Sequence, residues 1–137
     1  MSIPTDSARP PEPRQRWAVT SPRVLLRLEG LGILLVSGVG FHLVDQSWWL
    51  FVLTLLAPDV GLAGYLLGPR WGARIYNLTH TLIFPVLLVG WTLVQAAHTM
   101  ALALALVWIA HIGMDRMFGF GLKAPDSFRR THLQRVP

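Results

Sequence analysis

The fourth apolar run of the chain, residues 99–118 (TMALALALVWIAHIGMDRMF), decides the fold. Its length is close to the ~20 residues with which a helix crosses a hydrocarbon core ~30 Å thick. Three similar runs precede it, at 24–44, 48–68 and 75–95. Short links make helices 1 and 2 antiparallel neighbours, and likewise helices 3 and 4, and no segment indicates a strand. The sequence therefore predicts an all-α integral membrane protein, a bundle of four transmembrane helices.

The composition excludes several classes of protein. Of the 137 residues, 53% are hydrophobic and only 14% are charged, with a mean hydropathy of +0.47. A water-soluble or disordered chain of this length needs a larger polar share. The chain has no Cys, which excludes disulfides, thiolate metal sites and a cysteine nucleophile. The apolar runs hold almost no Lys or Arg, so the net charge of +5 comes from the flanks and one loop, and we expect membrane lipids as partners and no nucleic acid.

The positions of the cations predict the topology. Lys and Arg lie before helix 1, in the middle loop and after helix 4, whereas the other two loops carry none. The positive-inside rule then places both termini in the cytoplasm. We expect the protein in the inner (plasma) membrane of the cell. We expect a disordered, proline-rich cytoplasmic tail over 1–22, the four-helix domain over 23–118 and a cytoplasmic segment over 119–137.

Five ionisable residues lie inside the apolar runs, where each costs several kcal/mol unless it is paired or hydrated. They are Glu29, Asp59, His80, His111 and Asp115. Counted at ~1.5 Å per residue from the cytoplasmic ends of their helices, all five fall in the cytoplasmic leaflet at overlapping depths. Pro58 also predicts a kink beside Asp59, because proline interrupts helical hydrogen bonding. The pattern predicts one polar cluster facing the cytoplasm.

Two imidazoles and several carboxylates form a sufficient ligand set for a divalent metal such as zinc, manganese or iron. We expect His80, His111 and Asp115 to be ligands. Asp59 is the expected fourth ligand or catalytic base. Glu29 is expected behind the ligands, as a supporting acid that could also be the catalytic base. A bound metal would activate water, so the cluster predicts a metal-dependent hydrolase acting on a lipid-like substrate.

Three further polar residues are predicted to bind the substrate. Arg116 and Lys123 could hold an anionic head group, and Asn77 shares a helical face with the cluster. The Gly119-Phe120-Gly121 segment follows no strand and therefore predicts no nucleotide cofactor. We expect it to end helix 4 and to return Lys123 to the lipid head groups.

Two other interpretations stay open. The cluster could be a structural network that fixes helix packing in a non-enzymatic scaffold or a partner-binding subunit. It could also belong to a path for protons or small solutes. Gly61, Gly64 and Gly68 predict a close-packed face within the bundle that could also form a homodimer. His132, in the C-terminal segment, could fold back and add a ligand.

Eight short motifs follow one another along the chain: LRLEG (26–30), LAPD (56–59), GYL (64–66), GPR (68–70), YNLTH (76–80), AHIGMDR (110–116), GFGLK (119–123) and THL (131–133). Together they resemble the bacterial membrane family called domain of unknown function 4260, over about residues 24–133. The resemblance implies a small four-helix integral membrane protein and no particular chemistry. His111, Asp115 and Arg116 are also distantly similar to the His/Asp pairs of membrane-embedded metal-dependent hydrolases.

Overall fold

The chain folds into helices that make up four spans, followed by a short hairpin. A computed structural model describes residues 21–95, 99–124 and 127–131, so the predicted tail over 1–22 lies almost wholly outside it. The helices are α1 (Pro22–Leu43), α2 (Trp48–Thr54), a 3₁₀ helix (Ala57–Leu67), α3 (Pro69–Thr79), α4 (Ile83–Gln95) and α5 (Thr99–Phe118). The prediction of four helical spans is confirmed.

The outer surface of the helices is apolar. The segments Pro22–Leu43, Trp48–Leu67, Pro69–Gln95 and Met100–Phe118 are each long and apolar enough to cross a membrane. Many of their large side chains are exposed, including Leu53, Leu66 and Val94. Water-soluble proteins rarely expose apolar patches of this extent. The fold is therefore compatible with a multi-pass membrane protein.

The fourth span is the centre of the bundle. In its most apolar window 39% of the residues are buried, against 17% in each of the other three spans. The first span packs along it through two glycines: a Cβ atom on Gly30 would lie 2.8 Å from the Gly113 carbonyl oxygen, and one on Gly113 would lie 2.7 Å from the Leu34 nitrogen. Backbones that approach this closely leave room only for hydrogen, as is common between membrane helices.

The second and third spans are both interrupted. In the second span, α2 ends at Thr54 and the chain continues as a 3₁₀ helix from Ala57, which confirms the predicted break near Pro58. In the third span, α3 ends at Thr79 and α4 begins at Ile83, so the prediction of one continuous helix over 75–95 is wrong. Pro85 explains this second break, because its ring would clash with the carbonyl four residues earlier in an unbroken helix.

The second and third spans pack against each other through glycines. A Cβ atom on Gly61 would lie 2.5 Å from Thr79 Oγ1, and one on Gly64 would lie 2.8 Å from Ile75 Cδ1. Gly68 forms the link, with a φ of 103° that favours glycine, and α3 begins at the next residue. These glycines serve contacts within the chain, and the homodimer stays a prediction.

The chain turns back after the fourth span. As predicted, α5 ends before Gly119, which adopts a φ of 87°. Two strands then pair antiparallel, β1 (Lys123–Ala124) and β2 (Ser127–Thr131), so the expectation of no strand is wrong. Strands this short give too few positions for an alternating pattern to be recognised. The hairpin contacts α3, and the residues just before it, 120–122, line a small cavity beside the polar cluster.

Candidate metal centre

Two imidazoles and two carboxylates meet between the second, third and fourth spans. The Nε2 atoms of His80 and His111 lie 3.0 Å apart. Asp59 Oδ1 lies 3.3 Å from His80 Nε2 and 3.6 Å from His111 Nε2. Asp115 Oδ2 lies 3.5 Å and 3.8 Å from the same two nitrogens. The structure thus brings together four of the five predicted cluster residues, which we call the His/Asp cluster.

The two helix breaks position half of this cluster. Asp59 stands at the start of the 3₁₀ helix, directly after Pro58. His80 directly follows the last residue of α3, where the chain leaves the helix. His111 and Asp115 lie one turn apart on α5 and so share a face. Irregular backbone at membrane depth is tolerated where it is buried in protein or lines a polar cavity, which is the situation here.

The hydrogen bonds of His80 orient its ring toward the other members of the cluster. Its Nδ1 lies 2.9 Å from the Tyr76 carbonyl oxygen and 2.9 Å from Thr79 Oγ1. A carbonyl oxygen only accepts hydrogen bonds, so Nδ1 carries the proton and Nε2 of the neutral ring presents a lone pair to the cluster. Protein ligands of metals commonly have their second imidazole nitrogen bonded in this way.

The cluster is buried on one side and open on the other. His111 is completely buried, and its Nδ1 has no hydrogen-bond partner among the described residues. The side chain of Asp59 is 36% exposed and that of Asp115 is 16% exposed. The nitrogens are therefore shielded, while Asp59 provides the most open approach to them.

An aromatic ring forms part of the wall. Tyr76 stacks on His80 with ring centroids 3.7 Å apart, and its hydroxyl donates to Asp115 Oδ2 over 3.2 Å. The Lys123 Nζ atom lies 4.6 Å from the centre of the Tyr76 ring, a cation–π geometry. Burial lowers the pKa of Lys123, and the nearby Asp115 and Asp59 carboxylates partly oppose that effect.

Tyr76 was not among the predicted site residues. Its spacing of four from His80 places both on one helical face and was the available signal. The Lys123 amine lies beside this ring, and its predicted contact with the lipid head groups stays a prediction.

Asn77, predicted to bind substrate, is engaged elsewhere. Its Nδ2 donates to the Lys123 carbonyl over 2.9 Å, and its Oδ1 accepts from the Lys123 backbone N–H over 2.7 Å. These paired bonds fasten β1 to α3. Both polar ends of the amide are therefore used within the fold, and Asn77 acts as a clamp for the hairpin.

Of the remaining predicted residues, Arg116 lies beside the His/Asp cluster and Glu29 lies away from it. Arg116 lines a cavity of about 10 Å³ beside His80 and Asp115, about the room needed for one water molecule. Glu29 is exposed and lines a separate surface hollow with Ser37 and other residues of α1 and α5. The structure therefore does not bring Glu29 to the His/Asp cluster. His132 lies outside the described residues.

Comparison with protein families adds an assignment without an activity. The family profile described as "domain of unknown function (DUF4260)" matches residues 23–136. The chain belongs to this family. No curated protein and no solved structure gives a significant match to it. The match confirms the resemblance seen in the sequence motifs. All members of the His/Asp cluster lie within the matched residues. The family description names no chemistry, so the chemistry has to be argued from the cluster itself.

Proposed function

We propose that this DUF4260 protein is a metal-dependent hydrolase that acts on a lipid-like substrate from the cytoplasmic side of a bacterial inner membrane. One observation carries the proposal: imidazole nitrogens and carboxylate oxygens converge between the membrane-spanning segments, and the His80 ring is held through Nδ1 with its Nε2 toward the other members of the cluster. Converging acceptor atoms repel one another unless a proton or a metal cation lies between them. A divalent metal is the cation that this donor set fits.

The spacing of the donor atoms supports a metal. Tetrahedral zinc with bonds of ~2.0–2.1 Å holds its ligand atoms about 3.3 Å apart. The cluster's distances, from 3.0 to 3.8 Å, bracket that value. Asp59, His80 and His111 offer ligand atoms that all lie within 4.8 Å of one another. We therefore propose these three as ligands, so that Asp59 takes the ligand role expected for Asp115.

Asp115 then takes the role of base. Its Oδ2 accepts a hydrogen bond from the Tyr76 hydroxyl and borders the small cavity that has room for one water. When bound, the metal would supply Lewis acidity and lower the pKa of a coordinated water. Asp115 would accept a proton in that cavity, with its carboxylate held in place by Tyr76. Zinc, manganese and iron all suit imidazole and carboxylate ligands.

A structural network is the second candidate. His111 Nε2–H can donate to the His80 lone pair over 3.0 Å, which makes an interhelical hydrogen bond without a metal. That arrangement leaves the carboxylates of Asp59 and Asp115 facing the two imidazoles with few N–H groups from which to accept hydrogen bonds. It would fix the packing of α3 on α5 and require no catalysis.

Hydrolysis itself tests the proposal. The protein would be purified, placed in nanodiscs of bacterial phospholipid, supplied with zinc, manganese or iron, and assayed for released products by mass spectrometry. We expect product from the wild type and at least a hundredfold less from Asp115→Asn, since removing a general base typically costs 10²–10⁴-fold. Asp45→Asn, in a loop between spans, is the matched control and should retain activity. No product with any of the three metals would contradict the proposal.

A further inference from the structure

An apolar groove lies on the outside of the bundle, between the second, third and fourth spans. Its volume is about 330 Å³, within the range of ~300–1,000 Å³ that is typical of small-ligand pockets. It is lined by Thr54, Ala57, Pro58, Thr79, Leu104 and Trp108. All of these belong to segments able to cross a membrane, and the groove is partly open and lined almost wholly by apolar atoms, so in a bilayer it would face hydrocarbon.

The groove begins beside the His/Asp cluster and leads away from it. On two walls, Pro58 and Thr79 directly precede cluster members in the chain. On the third wall, Trp108 lies about one helical turn from His111, and Leu104 extends that wall to about 10 Å from His111 along α5. An extended apolar chain can lie along this path with one end at the cluster.

The separation between groove and cluster is incomplete. The Trp108 indole N–H donates to the Thr79 carbonyl over 2.6 Å and so closes part of the wall. Asp59, the next residue after Pro58, is the most exposed member of the cluster. A molecule whose chain fills the groove would therefore place its polar end at Asp59.

The charges around the cluster favour an anionic polar end. A divalent metal would neutralise the two carboxylates of Asp59 and Asp115. Arg116, beside the small cavity, and Lys123, over the Tyr76 ring, would then leave excess positive charge at the same end of the groove. Opposite charges attract strongly where water is scarce.

We propose that the groove binds one acyl chain of an anionic membrane lipid, so that the lipid's head group lies at the His/Asp cluster. This inference rests on the proposed function and names its substrate class. The hydrolase would then receive its substrate sideways from the bilayer rather than from the aqueous phase.

Photolabelling tests the proposal without relying on catalysis. The full chain in nanodiscs would be irradiated with phosphatidylglycerol that carries a diazirine in one acyl chain, and labelled residues mapped by mass spectrometry. We expect groove residues to be labelled at least about threefold more than the exposed outer face of α4. Ala57→Trp should fill the groove and remove that excess. Ala63→Trp, on an exposed position of the same 3₁₀ helix, should leave it unchanged.

The outcomes separate this proposal from the metal. Equal labelling of the groove and α4, or an excess that survives Ala57→Trp, would overturn it. Phosphatidylcholine with the same diazirine chain should label the groove less, and equal labelling by both lipids would overturn the anionic head group. Metal content would be measured on the same samples. Groove labelling without bound metal would support acyl-chain binding and contradict the proposed hydrolase. Bound metal without groove labelling would support the proposed hydrolase and contradict acyl-chain binding.

Discussion

Replacing Asn77 should release the C-terminal hairpin from the bundle. Asn77→Ala removes two hydrogen bonds, of 2.7 and 2.9 Å, that hold the Lys123 backbone to α3. Each such bond contributes ~0.5–1.5 kcal/mol net, so their loss should cost about 2 kcal/mol of docking free energy. Since 1.4 kcal/mol is a factor of ten, the population of the undocked hairpin should rise about 30-fold.

Hydrogen exchange of the Lys123 amide measures this opening, because the amide is protected while it donates to Asn77. Mass spectrometry of the peptide over 119–124 should show exchange about 30-fold faster in Asn77→Ala, with α5 unchanged. Leu78→Ala, at a neighbouring exposed position, is the control and should exchange like the wild type. A change of less than about twofold in Asn77→Ala would refute the clamp and return Asn77 to its predicted role in substrate binding.

Three further substitutions follow from specific contacts. Gly113→Val should lower the free energy of unfolding by about 1–3 kcal/mol in a detergent melt, because its Cβ meets the backbone of α1. Gly32→Val is the control and should be neutral, because its Cβ meets open space. Equal effects of the two substitutions would contradict the close crossing of α1 and α5. Trp108→Phe should cost about 1 kcal/mol through loss of the bond to Thr79, and the exposed Trp91→Phe should cost less, an order that the same melts check. Tyr76→Phe keeps the ring stack but removes the donor to Asp115, so hydrolysis should fall about tenfold at unchanged metal content; unchanged hydrolysis would show that Asp115 needs no such support.

The spans could be predicted because their length and apolarity are dictated by the bilayer. The cluster could be predicted for a related reason: Asp59, His80, His111 and Asp115 are costly in hydrocarbon and had to find one another at a common depth. Depth along a helix does not determine the direction in which a side chain faces. Glu29 satisfies the depth criterion and nevertheless lines a separate hollow with other residues of α1 and α5.

Contacts between distant segments were beyond the sequence. The break after Thr79 had a signal in Pro85, but only the fold shows that this break places a histidine against the one in α5. The hairpin depends on pairing and on the Asn77 clamp rather than on strand propensity. The proposed exchange of roles between Asp59 and Asp115 depends on how the side chains are grouped in space, which the order of residues along the chain does not give.

Metal content is the most direct test that the His/Asp cluster is a metal centre. The protein would be purified in mild detergent without chelator, and its metals measured by mass spectrometry, beside a His80→Ala/His111→Ala variant and a His42→Ala control on an exposed histidine. The proposal predicts about one zinc, manganese or iron per chain in wild type and control, and none in the double variant. The same metal content in all three proteins, or no metal in the wild type with a lower melting temperature for the double variant, would show that the cluster is structural.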